Sequence, residues 1–485
     1  MNRLAQRVAP LLAALILAGC SSTPEMKAPQ LATPAAFKEA QQPVAAADGT
    51  QWRLARPAEA QPRGQWWLAF HDPILSAMID QASDVGANGN AGLAVAAARL
   101  RQARSLAGLA ESERSIQVGA GVGAQRGQSS AVSLGLPDGA AVAPATAWQA
   151  NLSASYELDL FGRVGAAVGA AQADASASGA TYQSVLLALQ ADVAQTYFRI
   201  RATDAELATL ASNVDLRTQS VKISQSRFDN GDIGEFDLVR AKGELASARF
   251  EAIGLQRQRV QLDHALAVLL GKPAAAFSLQ ATALPDLAAL PSIPAGLPST
   301  LLERRPDVVA AQRAMVAANA RIGVARSAMF PALSLSASGG GASGALSNVL
   351  AWSSRSWVLG ALMSMPIVDG GRNKANIARS EAVLEESVAA YRQNVLVAFA
   401  EVEDNLAGLR ILAQQSEQLD AGVMLARRSS DLAQKLYQAG RSSYLDLLDA
   451  QRNLTVIERR AAALRGNQAV TTVALIRALG GGWEN

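Results

Sequence analysis

The chain has 485 residues, a formal charge of +3, 50% hydrophobic but only 5% aromatic residues, one cysteine and two histidines. With no Lys/Arg block it lacks the electrostatic footprint of a nucleic-acid binder, and a single cysteine excludes an internal disulfide or a thiolate metal site. Much of the hydrophobic fraction is alanine, which suits long helices packed closely through small side chains.

Arg3 and Arg7 precede an apolar stretch, Leu11 to Ala18, that ends in Leu17-Ala18-Gly19-Cys20. A basic start, a short apolar core and small residues before a cut describe a secretory signal over 1–19. The stretch is too short to cross a bilayer as a helix. Leu-Ala-Gly-Cys resembles the bacterial lipobox, whose cysteine is acylated and becomes the new N-terminus, so Cys20 is the expected lipidation site. Removing the signal takes two positive charges with it and leaves the mature chain near +1. Residues 20–62, rich in Ala, Pro and Gln, read as a lipid-anchored tether.

Trp66-Trp67-Leu68-Ala69-Phe70 opens ordered structure, followed by a helical pattern from about Asp72 to Glu113. Strict alternation then marks strands. Ile116, Val118, Ala120, Val122 and Ala124 share one face; Trp148, Ala150, Leu152, Ala154, Tyr156, Leu158 and Leu160 share another. This predicts a β-hairpin over about 115–160. A helix without proline follows, from about Val164 to Asp229, turns at Gly231 and returns from Phe236 to Gly271. Residues 272–298 read as an irregular, proline-containing linker. After it come Arg305-Pro306-Asp307, a second hairpin over about 332–368, a second long helix from about Asn373 to Ala439, and a return from Tyr444 to Gly480. The run Gly339–Gly344 reads as a loop between strands and lacks the Lys-Ser/Thr ending of a phosphate cradle. His71 and His264 stand apart from any second metal ligand and read as structural.

The second half repeats the first. At an offset of 209 residues, Phe228 falls on Tyr437, Gly231 on Gly440, Asp237 on Asp446, Leu238 on Leu447 and Ala241 on Ala450. Further upstream the register shifts to 215, with Gly108 on Gly323. The repeats, 63–271 and 299–485, are far longer than a solenoid unit.

Strands of about ten residues with one apolar face suit a tilted membrane crossing. Trp148 and Trp357 sit where interfacial aromatics are expected. A soluble hairpin packed on a helix would alternate in the same way. Four strands cannot close a barrel, and an open edge in lipid strands backbone groups at several kcal/mol each. Membrane strands would therefore have to be shared: barrels of 8, 12 or 16 strands take two, three or four copies. For the helices, a two-stranded coiled coil is the simple alternative, but sustained Leu at a and d positions is missing.

Taken together, several segments resemble the TolC-like outer-membrane efflux channels, in the lipoprotein (NodT-type) branch that serves RND-type multidrug pumps. They are the Cys20 lipobox, Trp66-Trp67 with Phe70 and Asp72-Pro73, Arg305-Pro306-Asp307, Ala318 to Gly323 running to Phe330-Pro331, Pro366-Ile367 before Gly370-Gly371-Arg372, and Tyr437-x-x-Gly440 leading to Leu445–Ala450. The resemblance covers essentially the whole mature chain. It implies an α+β membrane protein: a homotrimer whose chains give four strands each to a 12-stranded outer-membrane β-barrel, continued by a long α-helical periplasmic barrel. It implies a passive exit duct, with no enzyme activity and no cofactor beyond the lipid on Cys20. The implied partners are outer-membrane lipid, a periplasmic adaptor and an inner-membrane RND-type pump. The Gly440 turn becomes a periplasmic gate: Leu445 an apolar constriction, Asp446 and Asp449 acidic rings, Tyr437 a restraint on the helix pair, with Arg441 or Ser442 nearest the basic partner's place. Without the resemblance, Asp446 and Asp449 read as ordinary carboxylates near a helix start. The competing functions are a structural or adhesive lipoprotein with a helical stalk, and a periplasmic enzyme.

Overall fold

The structure is a computed structural model that describes residues 23–26, 37–39, 64–86, 89–137, 139–282 and 304–481. The signal, Cys20, most of the tether and most of the 272–298 linker lie outside the described residues. Four strands, β1 (Gln117–Gly127), β2 (Ala145–Leu158), β3 (Ala332–Ser343) and β4 (Arg355–Ser364), form one antiparallel sheet in the order β1-β2-β3-β4. The two hairpins meet through β2 and β3, with Leu152 opposite Gly339 and Tyr156 opposite Leu335. Among the described residues, β1 and β4 are paired along one edge only. The apolar face is open as well: Val122 is 84% exposed, Trp357 76% and Leu359 72%.

Two strand details depart from expectation. Gly339 to Gly341 are not a loop but the second half of β3, paired with Ala150 to Leu152 on one side and Arg355 to Trp357 on the other. A Cβ at Gly340 would lie 2.2 Å from the Ala150 carbonyl oxygen, and one at Gly341 1.8 Å from that of Val349. Close backbone approach, not turn geometry, accounts for glycine there. β4 stops at Ser364, short of Ile367, because Pro366 cannot donate to a ladder.

The helices are α1 (Pro73–Ser83), α2 (Ala91–Ser112), α3 (Arg163–Asp229), α4 (Glu235–Leu269), α5 (Pro306–Ser327), α6 (Arg372–Gln438) and α7 (Tyr444–Ala478). The expected helix over 72–113 is thus two helices, divided where Asp84, Gly86, Gly89 and Asn90 favour a turn. Matching elements have equal lengths: 67 residues in α3 and α6, 35 in α4 and α7, 22 in α2 and α5. At 1.5 Å per residue, a 67-residue helix runs for about 100 Å. Among the described residues, no helix is long and apolar enough to cross a membrane.

The chain forms two compact units. The first contains the sheet and the described parts of Met1–Gln30, Leu100–Ser178 and Ala310–Tyr391. Here each hairpin passes into its long helix through an aspartate. Asp159 accepts from the backbone N–H groups of Val164 (3.1 Å) and Gly165 (2.7 Å), and Asp369 from those of Gly371 and Asn373, both at 2.9 Å. These bonds satisfy the orphan donors of a helix start. Phe161 stacks on Phe330 at 4.8 Å, joining the exit of the first hairpin to the entry of the second. The end of the tether is seated in this unit too. Buried Asn319 donates to the Pro24 carbonyl oxygen at 2.9 Å, and a Cβ at Gly323 would lie 3.0 Å from Thr23 Cα.

The second unit contains the described parts of Leu31–Arg99, Gly179–Val309 and Arg392–Asn485. Its upper core gathers Trp66, Trp67 and Phe70 against Phe198. Tyr197 donates to Asp72 at 2.5 Å; burial, and then this bond, push its phenol up to about 12. Arg201 and Arg259 bracket Asp204, and Arg259 also holds Asp263 at 3.0 Å. The same groups take up the start of the linker: Asp263 accepts from Leu279 N–H, and Arg201 donates to the Gln280 carbonyl. The Arg305-Pro306-Asp307 motif is a joint, its guanidinium reaching Asp307 (2.6 Å), Glu401 (2.5 Å) and the Ala478 carbonyl (3.2 Å).

Helices in this unit close on small residues. Gly466 of α7 lies so near α3 that a Cβ there would stand 2.3 Å from the Ala202 Cβ. The backbones would have to part to admit a methyl group, so Gly466→Ala is expected to lower stability by about 1–3 kcal/mol, despite alanine's better helix propensity. Thermal melting of the purified protein reads the loss, and an unchanged midpoint would contradict the contact.

Candidate functional site: the turns at Gly231 and Gly440

The two long helices end alike. Gly231 and Gly440 adopt positive φ, 79° and 70°, where a side chain would be strained. In the first turn Gly231 N–H donates to Phe228 O and Asp232 N–H to Arg227 O. In the second, Gly440 N–H donates to Tyr437 O and Arg441 N–H to Leu436 O. These paired bonds satisfy the last carbonyls of each helix.

The restarts differ. α7 begins with Ser443 as its N-cap, and Ser443 and Asp446 form a reciprocal capping box. The Ser443 hydroxyl donates to Asp446 Oδ2 at 2.7 Å, its backbone N–H donates to the same oxygen at 3.0 Å, and Asp446 N–H donates back to the hydroxyl at 3.2 Å. The hydroxyl first, and then the backbone N–H, hold the Asp446 carboxyl below its ordinary range. α4 begins at Gly234 with no side-chain cap.

Leu445 is 41% exposed. Asp449, one helical turn further on, is exposed with Arg452 at 3.9 Å. Leu445, Asp446 and Asp449 thus present one apolar and two acidic side chains along the opening turns of a single helix. Within one chain they form no metal site, and no His/Cys/Asp/Glu group among the described residues does so. Tyr437 is half-buried and packs on Ala241, Tyr444 and Leu448, with its ring 5.9 Å from that of Tyr444. The cation over that ring is Arg227 of the first half, 4.9 Å above it, and not Arg441, which is exposed.

Beneath the turns lies a polar layer that the motifs did not mark. Arg217, only 2% exposed, donates to Gln451 Oε1 (3.0 Å) and Asn213 Oδ1 (3.2 Å). Gln451 donates to Gln434, and Asn213 to Thr455. Arg452 grips Glu244 with two bonds, and Arg459 holds Glu251 and Glu206. The available signal was a break in the repeat: at the 209 offset Arg217 falls on the buried Ala426, and Tyr444 on Glu235.

Ser443→Ala should release the capping box. Hydrogen exchange at the first amides of α7 is expected to quicken by about fivefold, the equivalent of one lost N-cap. Because the Asp446 pKa is depressed, its contribution is fully present above the ordinary aspartate value of about 3.9 and disappears as pH falls through the lower folded value. Equal exchange in the variant and wild type would remove the box from the account.

The family described as outer membrane efflux protein matches the chain twice, over residues 87–272 and 297–481. The solvent efflux pump outer membrane protein SrpC of Pseudomonas putida is 34% identical over 490 residues, covering 98% of both chains. The cation efflux system protein CusC of Escherichia coli O6:H1 is 31% identical over 479 residues, covering 99% of each. Among solved structures, the outer-membrane channel OprN superposes with a TM-score of 0.84 at 28% identity, over 96% of this chain and 100% of that one. The open state of the Neisseria gonorrhoeae MtrE outer membrane channel gives 0.79 at 27%, over 95% and 98%. Matched in both halves and by relatives of nearly identical extent, the chain belongs to the outer membrane efflux protein family.

Proposed function

We propose that three copies of this chain close their sheets into a 12-stranded outer-membrane barrel, with the paired long helices forming a tunnel into the periplasm. The barrel is the passive exit of a tripartite efflux system, taking small molecules from a periplasmic adaptor and an inner-membrane RND-type pump. One observation carries the reading: a four-stranded sheet whose two edges are paired on one side only and whose apolar face is exposed. In lipid such a sheet must be closed by further strands, and three copies is the number the family resemblance implies. Cys20 carries the lipid. The seat of Thr23 and Pro24 on α5, three residues beyond Cys20, supports an anchor held close to the body.

The Gly440 turn is the gate in this reading. Threefold copying brings three Asp446 and three Asp449 carboxylates together, with Leu445 as the apolar constriction. Like charges at close range favour cation binding or protonation of one member.

Closure is tested by oxidising cysteine pairs, one in Gln117–Gly127 and one in Arg355–Ser364, against a background whose single native cysteine is the lipid-anchored Cys20. Pairs in register are expected to give covalent trimers in outer-membrane fractions; a panel that yields only monomers would defeat the barrel. The gate is tested in planar bilayers. Asp446→Ala with Asp449→Ala should raise the concentration of multivalent cation needed for half-block by about tenfold, the effect of losing roughly 1.4 kcal/mol of binding, and increase leak. Unchanged block and conductance would place the gate elsewhere.

A further inference from the structure

Away from their junctions with the long helices, the two hairpins are almost free of charge. Among the described residues of 117–156 and 332–368, Arg126 and Arg355 alone are charged, and both are basic. Each stands on an edge strand at the end nearest the hairpin loops: Arg126 is the last residue but one of β1, and Arg355 is the first of β4. Both belong to the apolar face. Arg126 follows Val122 and Ala124 at two-residue steps, and Arg355 precedes Trp357 and Leu359 in the same way. Cross-strand pairing agrees. Ala124 is opposite Trp148, and Arg126 is opposite Thr146, to whose hydroxyl it donates at 3.2 Å. The other face at this end carries the neutral Gln125, Gln149 and Ser356.

Neither arginine meets a carboxylate. Arg126 bonds the Thr146 hydroxyl; Arg355 donates to the Leu350 carbonyl oxygen at 3.3 and 3.4 Å and lies 4.9 Å from the Trp352 ring. Both side chains are exposed, and a guanidinium has five N–H donors, so each keeps donors to spare. On a lipid-facing surface an arginine is costly at the midplane and tolerated at headgroup level. Exposed Trp352 and Trp357 mark that level here. Hydration alone would suit two surface arginines, but it gives no reason to set both on the apolar face, at one end, while the polar face beside them stays neutral. A lipid phosphate gives one: it accepts paired N–H bonds from a guanidinium, and its acyl chains cover the apolar strand residues. The row of paired residues through Arg355 crosses Gly341 and Ala150 and reaches β1 at Val122, so within one chain Arg126 stands four residues, about 13 Å along the strand, nearer the loops. One small ion does not span that offset, whereas separate headgroups meet each arginine.

We propose that Arg126 and Arg355 bind the phosphate groups of outer-leaflet lipid and form a basic belt around the outside of the barrel. The belt rests on the membrane barrel proposed for this chain, in which the β4 edge of each copy meets the β1 edge of the next and three copies supply six arginines. The loops lie at the end of the sheet away from the long helices, which in that barrel is the outer leaflet.

The test uses the full-length protein in detergent, labelled diphosphoryl lipid A as the probe and the phosphate-free form of that lipid as the control. The wild type should retain the phosphorylated lipid in preference to the control. Arg126→Gln and Arg355→Gln should each weaken retention by about fivefold, and together by about thirtyfold, as expected for one and two basic side chains at an anionic lipid surface. Trimer content is read in the same samples from the seam cysteine pairs. Trimers that retain both lipids equally, or a double variant that retains as much as the wild type, overturn the lipid site and leave the barrel standing. Full displacement of the probe by inorganic phosphate at equal concentration makes this a site for free anions and overturns the lipid assignment. A wild type that forms no trimers overturns the barrel, and the belt with it.

Discussion

A strand inside a sheet has its hydrogen bonds met on both sides; a strand at an edge has half of them left over. In this chain β2 and β3 are fully flanked, while β1 and β4 each keep one unpaired edge. That deficit is the constraint from which the rest follows. The apolar residues of the sheet alternate toward an open face, the condition from which the proposed closure by further copies starts. Function follows the same line. The family is that of outer membrane efflux proteins, and the chain matches it in both halves.

The helices solve a different problem with different residues. A 67-residue helix with a broad stripe of large apolar side chains would aggregate or demand a thick core. Here many of the contacts are alanine and glycine, set among larger buried side chains such as Val193, Ile200 and Ile476: Ala191, Ala194, Ala202, Ala241 and Ala469 are buried, and Gly466 faces Ala202 directly. Dispersion across these close interfaces adds to the burial of the larger side chains. The cost of close packing is little room for polar side chains, and those that are buried are tied down individually, as with Arg305 to Glu401 and Asp263 to Leu279.

Much of this was legible in the sequence because it rests on local rules. Alternation marked both strands of the first hairpin, glycine marked the turns, and the 209-residue echo tied one half to the other. The misreadings have physical causes. Gly339 to Gly341 looked like a loop because the residues that crowd them, Ala150 and Val349, are brought close only by strand pairing and chain return. The helix over 72–113 was read through a glycine and asparagine turn because alanine periodicity resumes on its far side. At the turns, the positions of Leu445, Asp446, Asp449 and Tyr437 could be named, but their partners could not. Asp446 is engaged by Ser443, three residues away and readable as a capping pattern, whereas Arg227 reaches Tyr437 from 210 residues upstream, beyond any local rule.

The matched lengths of the paired helices carry a consequence for how such a chain can change. Removing one residue from α3 would retract its turn by about 1.5 Å and rotate every later side chain by about 100° relative to its twin in α6. Neither half can drift in length alone without misaligning Arg227 from Tyr437. Tolerated insertions and deletions should therefore collect where the 215 and 209 registers part, between the strands of each hairpin, so that the loops absorb divergence while the shafts keep common measure.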